Sequence, residues 1–287
     1  MDTAIIEDPT FRIITTLKSV SFNEEDLQPL PSTLRWKKET ESFLILHRQR
    51  LHAAAQACLW PQACLRLESQ SAVADLECAT EQAAKQIPKP KTGHIRDVRV
   101  RILVNRHGGI QSEGVPMGGE RPLEKLEDGL VSCIPQSLLL PSPTPGVSRC
   151  LVHVDYVPTS PAFYTSHKTT YRRPYDDARA RVGITKCLPT DREVLLFNHQ
   201  NEVMEASLCT PYFYREGTWT TPPSAAGGML SVTKQWALDA GLCKEATIIL
   251  GSIRPGEIIW LSNALRGFFQ GRVCEAEERG GMTNSPF

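Results

Sequence analysis

Over residues 11–22, FRIITTLKSVSF, β-branched residues alternate with polar ones, and that period of two predicts a strand. The nearby TLRWK around Trp36 reads as its hairpin partner. SFLILHRQRLHAAAQACLW starts apolar and then sets Leu46, Arg50, Ala53, Ala54 and Ala57 at helical spacing, which predicts a strand or turn feeding a helix. SAVADLECATEQAAKQI predicts a second amphipathic helix, stopped by Pro88 and Pro90. HIRDVRVRILVNRHGGI is an alternating strand closed by Gly108 and Gly109, and CLVHVDYVPT from Cys150 is another. The Pro- and Ser-rich stretch between them, PQSLLLPSPTPGVSRC, reads as a linker and places a domain boundary at 148/149.

Further along, RRPYDDARARVG predicts a helix from Pro174, a favoured first-turn residue, to Gly183. The next segment alternates as a β-meander: a strand at Glu193–Phe197, a turn at 198–201, and strands around Val203–Leu208 and Tyr212–Tyr214. LSVTKQWALDAGL carries serine and threonine in its first turn and Gly241 near its end, as a helix would. EIIWLSNALRGFFQGRV is an apolar strand breaking into a polar turn. Strands and helices alternate in both halves without an internal repeat, so the expected fold class is α/β or α+β.

Composition narrows the function classes. The 287 residues suffice for two ordinary domains, and 32 acidic residues balance 32 basic ones. No global field draws such a chain to nucleic acid or an anionic membrane, so a small-molecule substrate is expected. The nine cysteines form no C-x-x-C pair, which argues against a zinc site and a disulfide framework. The first twenty residues have acidic groups where a secretory signal needs basic ones, and no run approaches the roughly 20 apolar residues of a membrane helix. A cytoplasmic protein is expected.

Single residues are less specific. A lysine beside a helix start, such as Lys168, is ordinarily solvated, and Arg50 on a helix is ordinarily a surface ion-pair partner. Glu205 within VMEASL is harder to dismiss, because a carboxylate among apolar strand residues needs a partner. His47 reads as a packing residue, and His167 points to the opposite face from its strand neighbour Lys168. The pairs Gly108-Gly109, Gly118-Gly119 and Gly227-Gly228 lack nucleotide-loop spacing, and Asp176 and Asp177 make RRPYDDARAR an ion-paired helix face.

Taken in order, HRQRL, HKTTYRRPYDDAR, NEVMEAS, TPPSAAGGMLSVTK and WLSNALRG change the picture. Together, from about Phe11 to Gly267, they resemble the class IV aminotransferase family of pyridoxal-phosphate enzymes, and within it the aminodeoxychorismate lyases with an H-K-T-T segment. The resemblance implies a two-domain fold-type IV enzyme, like the D-amino acid aminotransferases. Its small N-terminal α/β domain would span 1–148 and its larger, barrel-like C-terminal domain 149–287, with the cofactor between them, and homodimers would be formed.

It also implies roles. Pyridoxal 5′-phosphate needs an amine to hold its aldehyde, a carboxylate to keep its pyridine nitrogen protonated, and cationic and amide donors for its phosphate. By match to the family motif these are Lys168, Glu205 and Arg50, with the amides of Val232 and Thr233 and a further phosphate-side turn at Asn263 and Ala264. The implied reaction converts 4-amino-4-deoxychorismate to 4-aminobenzoate and pyruvate. Transamination of an amino acid or amine is the alternative, and a silent cofactor-fold binding protein the third reading.

The chain departs from the family pattern at several positions. Ser231 stands for a glycine, Lys234 for an arginine and Thr210 for an asparagine. Arg173 occupies the place of a tyrosine that contacts the cofactor's phenolic oxygen in branched-chain transaminases, with Tyr171 and Tyr175 on either side. For the substrate carboxylates, Arg106, Arg172, Arg173 and Arg266 are candidates by charge alone.

Overall fold

A computed structural model describes residues 3–23, 26, 33–122, 150–188 and 190–274, with backbone only for 3 and 33–42. The chain forms two compact units that interleave in sequence. One holds the described residues up to 122 with His167–Tyr171 and Ala264–Arg266. The other holds 150–166, Arg172–Asn263 and the described residues from Gly267. The 148/149 boundary and most of the linker segment lie outside the described residues.

In the first unit, after a short helix α1 (Thr3–Glu7), strand β1 (Ile13–Phe22) pairs antiparallel with β2 (His94–Val104), from Ile13 opposite Val104 to Phe22 opposite Ile95. Strand β3 (Ile110–Pro122) extends the antiparallel sheet beyond β2. Helices α2 (Thr33–Ala57), α3 (Pro61–Glu68) and α4 (Ala72–Lys85) lie between β1 and β2 in the chain. Helix α4 buries Ala72, Leu76, Ala79, Thr80, Ala83 and Ala84, the i, i+4, i+7 stripe of an amphipathic helix. Small residues there allow close approach: a Cβ on Gly114 of β3 would stand 2.3 Å from the Ala83 carbonyl oxygen.

Two expectations fail here. The TLRWK segment is the first part of helix α2, not a hairpin strand, and SFLIL continues that helix without a strand or turn. β1 has no edge for a hairpin partner at its start: β2 takes one side, and Ile13 bridges Thr169 on the other. In α2, Leu44, His47, Leu51, Ala54 and Ala55 are buried at three- and four-residue steps, so from residue 43 on burial follows the helical period.

The second unit is built on an eight-stranded, curled half-barrel sheet in the order β6-β5-β4-β11-β10-β7-β8-β9. Its strands are β4 (Cys150–Val154), β5 (Arg192–Phe197), β6 (Val203–Ala206), β7 (Thr210–Arg215), β8 (Thr218–Thr221), β9 (Lys244–Glu245), β10 (Ile258–Asn263) and β11 (Gly267–Val273). β4 runs parallel to both its neighbours, β5 and β11. Helices α5 (Phe163–Ser166), α6 (Arg173–Arg181) and α7 (Val232–Asp239) complete the unit. β5 is buried on both faces: Leu195 joins the core of Val152, Phe213, Ile259 and Leu261, while Val194 and Leu196 pack with Tyr175, Ala178 and Ile184. Among the described residues no helix is long and apolar enough to cross a membrane.

Candidate active site

Lys168 comes two residues after α5, and the backbone on either side of its neighbour Thr169 is bonded to the start of β1. The Lys168 carbonyl accepts the Ile14 N–H at 2.9 Å, and the Thr170 N–H donates to the Arg12 carbonyl at 2.9 Å. The Thr170 hydroxyl oxygen accepts the Arg12 N–H at 3.0 Å, while buried Thr169 turns its hydroxyl to the backbone of Tyr171 at 3.2 Å. The chain just after the lysine is therefore anchored to β1 through the Lys168 carbonyl and Thr170, while Thr169 closes a local turn onto Tyr171, which is a physical reason for H-K-T-T at this place. His167 is held below its ordinary pKa by burial.

Arg50 and His47, one helical turn apart on α2, meet Thr15 of β1. The Arg50 Nη2–H donates to Thr15 Oγ1, and Thr15 Oγ1 lies 2.6 Å from His47 Nδ1. A guanidinium only donates, so the Thr15 hydroxyl oxygen accepts from Arg50 while it also pairs with the His47 ring. Burial, then the charges of Arg50 and Lys168, hold His47 well below its usual pKa. Burial also lowers Arg50, to about 10, which leaves it cationic at neutral pH. Its buried Nε–H has no hydrogen-bond partner among the described residues. A half-buried cation with an unmade, buried donor suits an anion.

His47 has a measurable consequence. An unfolded imidazole binds a proton near pH 6.5, whereas the native His47 does not, so its contribution is present above that value and is lost as pH falls below it. The limiting slope is about 1.4 kcal/mol per pH unit. Urea unfolding between about pH 7.5 and 5 should therefore show a shallower acid loss in His47→Asn than in the native chain. Equal slopes in the two proteins would place the pH dependence elsewhere.

Glu205 sits on β6, buried, in the second unit. Its Oε1 accepts the Tyr175 hydroxyl at 2.5 Å. The Gly227-Gly228 pair lies against the same strand: Gly227 has φ +104°, and a Cβ on Gly228 would stand 2.3 Å from the Met204 carbonyl oxygen. The turn after β6 is pinned from below by a buried pair, Arg179 to Glu193 at 3.3 Å. Arg179 also donates to Ser207 Oγ at 2.9 Å and to the carbonyls of Ile184 and Cys187, while Glu193 accepts the Leu208 N–H at 3.1 Å. Desolvation raises the Glu193 pKa despite these donors. The outer arginines of the helix do form the expected surface pairs, Arg172 with Asp176 at 3.7 Å and Arg173 with Asp177 at 3.6 Å.

Helix α7 opens with Ser231 as its N-cap, whose side chain accepts the Lys234 N–H at 3.1 Å. The amides of Val232 and Thr233 thus precede the first bonds of the helix and are the natural donors to an anion. A chain of hydroxyls backs this end: Thr210 to Ser231 at 2.7 Å, Ser231 to Thr233 at 3.2 Å, Thr233 to Ser262 at 2.8 Å and Ser262 to Tyr212 at 2.9 Å. Two of the departures, Thr210 and Ser231, are therefore hydrogen-bonded to each other. The third, Lys234, is buried in a structural role: its Nζ lies 2.7 Å from both the Pro222 carbonyl and Glu245 Oε1.

Asn263, at the end of β10, directs its Nδ2 to the Leu208 carbonyl at 3.4 Å and Cys209 Sγ at 3.3 Å. Ala264 begins the turn that contains Arg266. Of the arginine candidates for substrate, Arg172 donates to the Ser207 carbonyl at 3.0 Å and stacks 5.0 Å above the Tyr175 ring. Arg173 is largely exposed, and Arg106 is exposed at the β2–β3 turn. No local pattern points to Thr15 or to the Tyr175–Glu205 bond, whose partners lie 35 and 30 positions from Arg50 and Tyr175 respectively.

A half-barrel sheet in a mixed α/β chain, with a lysine on an extended segment, a buried carboxylate on a strand and a hydroxyl-lined helix start, defines the fold-type IV class of pyridoxal-phosphate enzymes. Solved structures agree on the fold. A branched-chain amino acid aminotransferase of Escherichia coli superposes with a TM-score of 0.54 at 13% identity, covering 98% of this chain and 82% of that one. A provisionally assigned 4-amino-4-deoxychorismate lyase gives 0.55 at 20% identity, covering 96% and 90%.

The amino-transferase class IV family pattern matches residues 30–274, and the chain belongs to that family. Among curated proteins it is 28% identical over 194 residues to the aminodeoxychorismate lyase of Saccharomyces cerevisiae, covering 61% of this chain and 51% of that protein. The chain thus spans about half the length of the curated relative it matches. It is an enzyme of a family that acts on small molecules with pyridoxal 5′-phosphate, and the groups described here suit that cofactor: the orphaned buried Nε–H of Arg50 and the helix start at Val232 as donors for a phosphate, and buried Glu205 as an acceptor for a ring N–H.

Proposed function

We propose that the protein is a lyase converting 4-amino-4-deoxychorismate to 4-aminobenzoate and pyruvate. In this reading Lys168 would hold the cofactor, Glu205 would pair with its ring N–H, and Arg50 with the amides of Val232 and Thr233 would take its phosphate, the turn at Asn263 and Ala264 adding to that end. The cofactor, when bound, supplies an electron-poor pyridinium ring that accepts the electron pair left by the departing C4 proton. The Lys168 amine would be the base that removes that proton from C4. Loss of the enolpyruvyl group then makes the six-membered ring aromatic, and Lys168 returns the proton to the leaving methylene carbon to complete pyruvate. Atoms balance without any acceptor.

The observation that supports this most is the surroundings of Lys168: a neutral His47 and Arg50 with a buried, unmade donor, beside a lysine whose carbonyl and following Thr170 are bonded to β1. The lyase named at 28% identity supports the substrate, and Arg173, exposed and paired with Asp177 where branched-chain transaminases have tyrosine, weighs against transamination of that kind. A homodimer and a cytoplasmic location belong to the same proposal.

The test is product chemistry. Purified protein with cofactor and enzymatically made aminodeoxychorismate should yield 4-aminobenzoate and pyruvate in equal amounts with no keto acid added. Absence of product, together with conversion of the cofactor to its amine form by an amino acid, would replace the lyase by a transaminase.

A further inference from the structure

Tyr175 is a buried side chain to which the cofactor roles assign nothing. It is 3% exposed on α6, and its hydroxyl lies 2.5 Å from Glu205 Oε1 and 3.2 Å from the Thr165 carbonyl oxygen. A phenol has one proton to give, and the nearer, carboxylate acceptor is the stronger. Burial, then the neighbouring Glu205, raise the Tyr175 pKa well above its ordinary value, so the group stays a donor. The arrangement is held on both sides. Arg172 covers the Tyr175 ring while bound to the Ser207 carbonyl, and Gly227-Gly228 presses on the backbone of Met204 next to Glu205.

We propose that Tyr175 is a positioning residue for Glu205: its hydroxyl holds the carboxylate in one orientation and in its ionised form, so that the proton shared with the cofactor's ring nitrogen stays on nitrogen. The inference rests on the role given to Glu205 above. A hydrogen bond to an ionised carboxylate lowers its affinity for a proton. Without it the shared proton moves toward Glu205 and leaves a neutral pyridine, a weaker electron acceptor. The tyrosine of this chain thus acts at the nitrogen end of the ring through the carboxylate, while the position that carries a tyrosine in the branched-chain transaminases is the solvent-facing Arg173.

The experiment uses holoenzyme loaded with cofactor labelled with 15N in the ring. In Tyr175→Phe the ring-nitrogen resonance should move toward that of neutral pyridine, and kcat should fall about 10- to 100-fold with KM changed less than about threefold, the range expected for losing one charge-assisted bond. Incorporation of 3-fluorotyrosine at position 175 keeps the hydroxyl and the shape but makes a stronger donor, and should shift the resonance the opposite way. Glu205→Gln is the control. If it leaves the resonance where it is in the native enzyme, the role of Glu205 fails and the inference with it. If it moves the resonance but neither change at 175 does, the role of Glu205 stands and that of Tyr175 is overturned.

Discussion

Lys168→Ala is expected to lower turnover by about 10³-fold or more and to remove the absorption band of lysine-linked cofactor. The size follows from the double duty of one amine, which both holds the cofactor and carries the proton from C4 to the leaving group. The fold should survive, because the anchoring bonds of this segment are to the Lys168 carbonyl, at 2.9 Å from the Ile14 N–H, and to Thr170. Thermal unfolding of the cofactor-free variant should therefore match the native chain, which separates a chemical loss from a structural one. Turnover within about tenfold of native, or an unchanged band, would remove Lys168 from the chemistry.

Arg50→Met should weaken cofactor binding by about 100-fold, equivalent to about 3 kcal/mol, measured by titrating cofactor into the cofactor-free enzyme. Methionine fills similar volume but gives no donor to a phosphate. The guanidinium it replaces is half-buried, with one N–H committed to Thr15 Oγ1 and its buried Nε–H unpartnered among the described residues, so an anion that takes that donor gains a charge-assisted bond. His47 should respond too, since Arg50 is the second cause of its lowered pKa. A dissociation constant within about threefold of native would mean that the phosphate lies elsewhere, and would leave Lys168 untouched.

The strands β1, β2, β4, β5 and β10 and the helices α4, α6 and α7 were legible because each carries its own period or its own start signal: β-branched alternation in FRIITTLKSVSF, Pro174 at the head of α6, Ser231 ahead of α7. β3 and β11 were not. IQSEGVPMGGERP is polar, half exposed and rich in glycine, and it is a strand only because β2 pairs with it. GFFQGRV carries two glycines, and its strand state comes from β10 on one side and β4 on the other. TLRWK failed for the opposite reason: its β-like residues are overruled by the long helix that buries Leu44, His47 and Leu51 beyond it.

The order of residues alone determined the candidates for the chemistry, Lys168, Glu205, Arg50 and the helix start at Val232 and Thr233, because a motif is a matter of residue type and spacing along one chain. What each candidate touches was decided only in three dimensions. Thr15 beneath Arg50, Tyr175 on Glu205, Arg179 on Glu193 and Thr210 on Ser231 join residues 14 to 35 positions apart. Such partnerships depend on strand order and register, as when β4 lies parallel to β11 with Cys150 opposite Gly271, and no local pattern of hydrophobic and polar residues encodes which strand will be the neighbour.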